Sequence, residues 1–318
     1  MNHIAANRSD PRVLLVSASD QRFFNLLRGM LQTLQPESGS AQYDVACFDI
    51  GMTESQREWL RAFPARIARP EAHFGIEAQR HNPALLSFLA RPFLRDYFPG
   101  YDIYVWVDSD LWFQDPTVLD RYIAGASALG FAITHESEHA YRFQPRLFGW
   151  TAKHFLLGYG VLMGSWLLSR RHLNAGFFAA HADAPHWDAW ANRYEAAINR
   201  TGSLVPHDQF ALVQALHTVA PEGSALPVTW LEPSCNWIVD RGPPMWNDTL
   251  GMFCKPYSPY EPIGVLHLAG PGKSSVYDVR RTSGGLFQTR ILPGATPAQP
   301  ALLPVEVSPA TDDVAAIA

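Results

Sequence analysis

The sequence predicts an α/β protein with a Rossmann-like, mostly parallel central sheet flanked by helices, because strand-like apolar runs alternate with helical patterns along the chain. The runs at 13–16 and 103–107 contain no charged residue, as expected of strands buried on both faces. The second run is interpreted as the central strand, and it ends in Asp108-Ser109-Asp110. Open α/β sheets bind ligands at the carboxyl ends of their strands, so this edge of the sheet is the first candidate site.

Composition and charge exclude several classes of protein. The 318 residues are 47% hydrophobic and 17% charged, which permits a sizeable core and excludes wholesale disorder. Lys and Arg number 25 against 30 Asp and Glu, so the chain lacks the positive field that duplex nucleic acid requires, and no nucleic-acid partner is expected. Three widely spaced cysteines and an N-terminus without an apolar signal segment predict a cytoplasmic protein.

Caps and apolar spacing define the elements that follow the first strand. Asp20 is expected to cap a helix, and residues 43–50 to form the next strand. Thr53 and Gln56 have the spacing of a capping box, which predicts a helix immediately after Thr53. Asn82-Pro83 combines a cap with a first-turn proline and predicts another helix.

The later elements are a helix and a short strand. Asp183 and Pro185 precede apolar residues spaced as on an amphipathic helix, and residues 265–268 form a short apolar run. Residues 154–169 contain no acidic or basic side chain, but they are shorter than the ~20 residues that span a bilayer. They are interpreted as a buried core segment, and the alternative is peripheral contact of 154–171 with the inner face of a membrane.

One folded domain is expected between two loose ends. We expect a flexible leader at 1–10, a single domain at 11–292 and a disordered tail rich in Pro and Ala at 293–318. Within the domain, residues 11–120 are expected to form one half and residues 121–292 the other, with a smaller C-terminal elaboration.

Asp108 and Asp110 carry the chemistry of the first candidate site. In an extended chain they project from one face, and their mutual repulsion is relieved by a hard divalent cation, Mg²⁺ or Mn²⁺. The alternative is a pair of acidic turn residues that end a strand.

A second group of residues follows the short strand near the C-terminus. Gly270 and Gly272 permit close approach of the main chain to a ligand, and Lys273 offers a point charge for a phosphate. His267 can complete a metal site or serve as a hydrogen-bonded core histidine. The Walker pattern of P-loop NTPases is absent from the sequence.

A strand followed by Asp-x-Asp, with a late His-x-x-Gly-x-x-Lys, resembles glycosyltransferase family 8, which includes glycogenin and bacterial lipopolysaccharide galactosyl- and glucosyltransferases. The resemblance extends over about residues 12–290. It implies the GT-A fold and a UDP-hexose donor. It likewise implies that 11–120 is the nucleotide-binding half of the domain and that 121–292 is the half that holds the donor sugar and acceptor. It also implies Mn²⁺ (or Mg²⁺) held by Asp108, Asp110 and His267, and retention of configuration at the sugar's anomeric carbon.

Further segments match the family's motifs in the family's order. Asp208-Gln209 resembles the start of the Asp-Gln-Asp segment beneath the reacting carbon, which makes these two residues the catalytic candidates. The resemblance assigns donor binding to Ser17, Ala18, Asp20, Arg91, Ser109, Asn174, Gly270, Gly272 and Lys273.

Each matched residue also has an ordinary structural interpretation. Asn174 can cap a turn, Asp208 a helix, and Arg91 can close a helix end. The sequence departs from the family's pattern at Phe210, where a polar residue is common, and at Glu136 with its two preceding residues, where an Asp often contacts donor hydroxyls.

Aromatic and basic residues are the candidates for contact with the acceptor. Trp230, Trp237 and Trp246 are interpreted as core or as a stacking surface for a sugar. Five basic residues form either a solvated face or a surface for an anionic acceptor: Arg142, Arg146, Lys153, Arg170 and Arg171.

The sequence therefore predicts a metal-dependent, retaining hexosyltransferase of glycan biosynthesis. It would use a UDP-hexose donor and a saccharide, lipid-linked or lipopolysaccharide-type acceptor. One alternative is a catalytically inactive GT-A module that binds nucleotide sugars. The other is a nucleotidyltransferase, which the lack of glycine after the first strand disfavours.

Overall fold

Strands and helices alternate through the N-terminal half of the chain, as predicted. The structure, a computed structural model, describes residues 10–34, 42–63, 65–75, 83–202, 207–218 and 225–301. The strands are β1 Val13–Ser19, β2 Tyr43–Asp49, β3 Arg66–Ala68, β4 Ile103–Val107, β5 Leu111–Phe113, β6 Phe131–His135, β7 Leu173–His181, β8 Thr229–Leu231, β9 Trp237–Ile238, β10 Met245–Asn247, β11 Met252–Cys254, β12 Val265–His267, β13 Tyr277–Arg280 and β14 Leu286–Thr289. The helices are α1 Phe24–Thr33, α2 Glu54–Arg61, α3 Pro83–Ala90, α4 Leu94–Tyr97, α5 Val118–Leu129, α6 Pro145–Tyr159, α7 Val161–Leu168, α8 His186–Thr201 and α9 His207–His217.

The central sheet has seven strands in the order β3-β2-β1-β4-β7-β6-β8. Strand β7 runs antiparallel to both of its neighbours, and every other pairing in the sheet is parallel. The sheet is therefore mostly parallel, as the sequence predicts. Strand β4 is the fourth of the seven, which confirms that 103–107 is the central strand.

Both faces of the sheet are covered, which explains why β4 and the first four residues of β1 contain no charged residue. Val16 and Trp106 lie in one apolar cluster, which includes α8 residues such as Trp190. Their neighbours Leu15 and Val105 lie in a second cluster, on the opposite face with α1 and α5. Alternate residues of a strand point to opposite faces, so each strand contributes to both cores.

A smaller three-stranded sheet, in the order β5-β12-β9, forms the C-terminal elaboration with the hairpins β10-β11 and β13-β14. Strand β12 runs antiparallel to β5 and places His267 opposite Leu111. Trp237 and Trp246 are buried in the apolar cluster of this region, which supports their interpretation as core. Trp230 is half-buried in β8, the edge strand of the central sheet.

Of the three predicted helix caps at Asp20, Thr53 and Asn82, one is present, one makes a different contact and one lies outside the described residues. The capping box of Thr53 and Gln56 is present, and α2 begins immediately after it. Asp20 instead accepts hydrogen bonds from the backbone N–H groups of Arg22 and Phe23, so it stabilises the turn before α1 rather than the helix itself. Asn82 lies outside the described residues.

The segment 154–169 forms parts of two helices that meet at Gly160. Leu157, Val161 and Leu162 are 57%, 72% and 90% exposed, so the interpretation of the segment as buried core is wrong for this part of it. The charge-free pattern predicted burial, but no described element packs over these side chains. Within the described part of the chain, no helix has the length and apolar character needed to cross a membrane.

The predicted flexible ends lie largely outside the described residues, which begin at 10 and end at 301. Residues 293–301 are described and contact the body of the protein: Ala295 is buried, and Arg290 N donates to Ala301 O. The disordered tail stays a prediction for the residues beyond them.

Gly125 of α5 provides a test of how closely this helix packs on the sheet. A Cβ atom there would lie 2.8 Å from Ala132 Cβ and 2.9 Å from Thr229 Cβ, so Gly125→Ala is expected to destabilise the fold by about 1–3 kcal/mol. Gly149 of α6 is the matched control, because a Cβ there meets nothing within 4 Å. Gly149→Ala should be neutral or stabilise by about 0.5–1 kcal/mol in urea unfolding. Equal effects of the two substitutions would contradict this packing.

Candidate functional site

Two carboxylates and an imidazole converge at the carboxyl end of β4. One ligand atom each from Asp108, Asp110 and His267 lies within 4.8 Å of the others. Backbone pairing sets this convergence: Leu268 N donates to Asp110 O at 3.0 Å, and Asp108 N donates to Gly176 O at 2.8 Å. The first contact joins the C-terminal sheet to the tip of β4, and the second joins that tip to β7.

The carboxylates converge through a turn, and not through the alternation of an extended strand. Residues 109–110 form a turn, with Leu111 N donating to Asp108 O at 3.2 Å. The expectation that Asp108 and Asp110 share one face of an extended chain is therefore wrong in its geometry. The two carboxyl groups nevertheless belong to the same cluster with His267.

Lys273 and His267 both contact the buried Asp110. Lys273 Nζ lies 2.7 Å from Asp110 Oδ2, and His267 Nε2 lies 3.4 Å from Asp110 Oδ1. Burial by itself would raise the pKa of the Asp110 carboxyl. The neighbouring charges and hydrogen bonds of Lys273 and His267 outweigh burial and hold this pKa well below its ordinary value. Asp110 is thus an ionised carboxylate.

Arg91 bridges two carboxylates on the other side of the cluster. Its Nη2 donates to Asp108 Oδ1 at 2.7 Å and its Nη1 donates to Asp208 Oδ2 at 2.5 Å. Its guanidinium also lies over the ring of Trp106, 4.8 Å from the centroid. Burial lowers the pKa of Arg91, but the charges of Asp108 and Asp208 outweigh burial and raise it, so Arg91 stays charged. Arg91 therefore follows the end of α3, as its ordinary interpretation expects, and also bridges two carboxylates of the site.

Asn174 and Gln209 line one wall of the same cleft. Asn174 Oδ1 accepts from Gly176 N at 2.8 Å, and both residues lie within β7, so Asn174 does not cap a turn. Gln209 Oε1 accepts from Ala175 N at 3.2 Å, so α9 is joined to β7 beside the carboxylates.

The loop after β12 forms a short 3-10 turn over Gly270–Lys273. Gly270 has a φ of 55°, a left-handed backbone conformation that favours glycine. The Gly272 N–H is used within the turn, where it donates to Ala269 O at 3.1 Å. The basic group that this loop presents to the carboxylates is Lys273.

The cleft has a volume of about 590 Å³. Nine of the predicted site residues line it: Arg91, Asp108, Asp110, Asn174, Asp208, Gln209, His267, Gly270 and Lys273. The other five, which are not among its lining residues, are Ser17, Ala18, Asp20, Ser109 and Gly272. Ser17 and Ala18 at the end of β1, and Asp20 just after it, are thus separate from the other predicted donor-binding residues in this cleft.

Sequence reasoning missed two residues that position the cluster. Asn236 is buried, and its Oδ1 lies 3.0 Å from His267 Nδ1. Gly176 allows close approach, because a Cβ there would lie 2.7 Å from Asp108 Oδ2 and 2.8 Å from His267 Cε1. Gly176 stands two residues after the predicted donor-binding residue Asn174, which is a signal in the sequence, whereas nothing in the local sequence marks Asn236.

Glu136, which departs from the family's pattern in the sequence, has two polar partners in the cleft. In the structure its Oε2 accepts from Arg241 Nη1 at 2.6 Å, and its Oε1 accepts from Asn174 Nδ2 at 3.5 Å. Both Glu136 and Arg241 line the cleft. Glu136 thus places a carboxylate in the cleft, and this carboxylate is paired with Arg241.

No protein-family model and no curated protein matches this sequence. Among solved structures, the galactosyltransferase LgtC in complex with donor and acceptor sugar analogs is similar at 15% identity and a TM-score of 0.50, over 81% of this chain and 88% of that one. The apo structure of the bifunctional glycosyltransferase WbbM is also similar at 15% identity and a TM-score of 0.50. That match covers 85% of this chain but 47% of the WbbM chain. The chain therefore has the GT-A fold of these glycosyltransferases, as the motif resemblance implied.

Proposed function

We propose that this protein is a metal-dependent, retaining glycosyltransferase that moves a hexose from a UDP-sugar to a saccharide-containing acceptor. The observation that carries the proposal is the convergence of Asp108, Asp110 and His267 in one cleft, with cationic Lys273 and Arg91 on its two sides. A cleft with this arrangement suits a ligand that brings both a divalent cation and a diphosphate.

The donor set fits Mn²⁺ or Mg²⁺. Carboxylate oxygens suit hard divalent cations, and a neutral imidazole nitrogen adds one ligand of borderline character. Asn236 Oδ1 lies 3.0 Å from His267 Nδ1 and would accept a hydrogen bond from Nδ1–H, which leaves Nε2, on the side of Asp110, as the nitrogen free to bind a metal. When bound, the metal would neutralise negative charge on the diphosphate leaving group.

Lys273 and Asn174 would bind the donor, and Arg91 would act on it through Asp108. Lys273 is partly exposed in the cleft, so its ammonium group is accessible to a diphosphate. Arg91 is nearly fully buried between two carboxylates and is proposed to hold Asp108 in place. Asn174 is proposed to bind hydroxyls of the donor sugar.

Attack from the face of the leaving group is the stereochemical course that we propose. The carboxylate of Asp208 is bound by Arg91, and that of Glu136 by Arg241, so each already has a cationic partner. Gln209 offers an amide oxygen beside the carboxylates, which we propose to steady the positive charge that develops at the sugar's anomeric carbon. The acceptor hydroxyl would then attack without a covalent glycosyl-enzyme intermediate.

The test is metal-dependent hydrolysis or transfer with a panel of UDP-sugars. Asp110→Asn should lower metal-dependent turnover by about 100-fold or more, because it weakens a metal site that supplies several kcal/mol of charge stabilisation. The matched control is Asp183→Asn, since that carboxylate is 93% exposed and lies in the turn before α8. The control should keep the wild-type rate and melting temperature.

Three other outcomes would contradict the proposal. Near-native turnover of Asp110→Asn in excess Mn²⁺ would remove the metal assignment. Binding of UDP with Mn²⁺, without consumption of any UDP-sugar or acceptor, would indicate an inactive nucleotide-sugar-binding module. Consumption of a nucleoside triphosphate with a sugar phosphate would indicate a nucleotidyltransferase.

Asn236 provides a second prediction, about the orientation of His267. Asn236→Ala should weaken Mn²⁺ binding by about 10- to 100-fold, because partners of this kind fix the tautomer and ring orientation of a ligating histidine. The control is Asn236→Asp, which keeps an oxygen acceptor for Nδ1 and should retain more of the affinity. Titration calorimetry with Mn²⁺ measures both. Equal Mn²⁺ affinity in Asn236→Ala and the wild type would show that the contact only packs the core.

A further inference from the structure

An exposed apolar surface lies at the corner between α6 and α7. Seven of the eleven large apolar side chains that are exposed among the described residues lie between Phe143 and Met163. Four of the seven flank the glycine turn that joins the two helices: Leu156, Leu157, Val161 and Leu162. We call these four side chains the apolar tip. Adjacent exposed apolar side chains of this kind mark an interaction site on a protein surface.

The same region has a charge opposite to that of the rest of the protein. Between Glu138 and Asp183 the sequence contains no acidic residue. It contains five basic ones, Arg142, Arg146, Lys153, Arg170 and Arg171. Because the chain as a whole has a net charge of −5, the remainder carries a net charge of −10. The positive charge is therefore concentrated on and around α6 and α7.

We propose that the apolar tip and its basic flank dock on an anionic lipid surface. Apolar side chains at such a surface enter the boundary between headgroups and acyl chains, while lysine and arginine bind the anionic headgroups. Arg146 and Lys153 are both exposed on α6, and Lys153 is one helical turn before Leu157. The apolar tip alone, or the basic side chains alone, would bind a membrane weakly. Together they supply the apolar and the electrostatic contribution that stable peripheral attachment requires.

A second copy of the chain suits this surface less well. A symmetric dimer through the apolar tip would place two such surfaces against each other, and each surface carries the same positive charge. Like charges oppose that association, whereas they favour contact with anionic headgroups.

Docking through the apolar tip would hold the end of the cleft at the start of α6 about one helix length from the lipid. Arg142, Phe143 and Phe148 line the cleft at or just before the start of α6, whose 15 residues make it about 22 Å long. The apolar tip lies in the last turn of α6 and at the beginning of α7. If the proposed transferase function holds, the acceptor would be an anionic, lipid-linked saccharide. The docking itself depends only on the surface.

Vesicle sedimentation tests the docking without any catalytic readout. The wild type should sediment with vesicles of phosphatidylcholine and phosphatidylglycerol, and not with phosphatidylcholine alone. Leu157→Ser combined with Leu162→Ser should reduce this binding by about tenfold or more. Arg146→Gln combined with Lys153→Gln should also reduce it, and added salt should weaken wild-type binding.

The control is Leu250→Ser combined with Leu286→Ser, because these side chains are 52% and 62% exposed in another part of the protein. This control should bind vesicles like the wild type, and thermal melts should show all variants folded.

Two results would overturn the proposal. One is wild-type protein that does not sediment with the anionic vesicles, and the other is unchanged vesicle binding of the Leu157→Ser and Leu162→Ser double variant. A dimer in light scattering that this variant dissociates would assign the surface to a second copy. UDP-sugar hydrolysis in solution should be the same in all variants, so failure of the docking is distinguishable from failure of the proposed function.

Discussion

The candidate site depends on the neutralisation of carboxylates that the fold gathers at the end of one buried strand. Asp110 and Asp208 are nearly inaccessible to water, and Asp108 contacts the same arginine as Asp208. Uncompensated carboxylates so close together would repel one another and lose hydration. Arg91 and Lys273 supply the compensating charge in this structure. Charge balance, rather than any single contact, therefore determines which ligands the cleft can accept.

The fold produces this arrangement through two separate sheets. Strand β4 contains no charged residue in its buried portion and is followed directly by Asp108, at the edge of the sheet. The C-terminal sheet then brings His267 opposite Leu111, one residue after Asp110. A shift of one residue in that pairing would turn the imidazole to the other face of its strand. The register between β5 and β12 is thus as important to the site as the identity of its residues.

Much of this could be predicted from local sequence, and the remainder depends on tertiary contacts. The apolar run at 103–107 predicted the central strand, and the residues after it predicted the site, because both signals are contiguous. The role of Asn236 could not be predicted, since it arises only when β9 and β12 pair. The charge-free stretch at 154–169 predicted burial, but the exposure of Leu162 depends on which elements pack nearby. The turn at 109–110 likewise replaced the extended geometry that the pattern indicated.

The most direct test of the site is the position of a bound cation. Crystals grown with UDP and Mn²⁺ would be measured at a wavelength where manganese scatters anomalously. The expected result is a single strong anomalous peak in contact with Asp108, Asp110 and His267, with Lys273 moved from Asp110 towards the diphosphate. A peak elsewhere in the cleft, or no peak with Lys273 still paired to Asp110 in the presence of bound UDP, would contradict the assignment of these three residues as metal ligands.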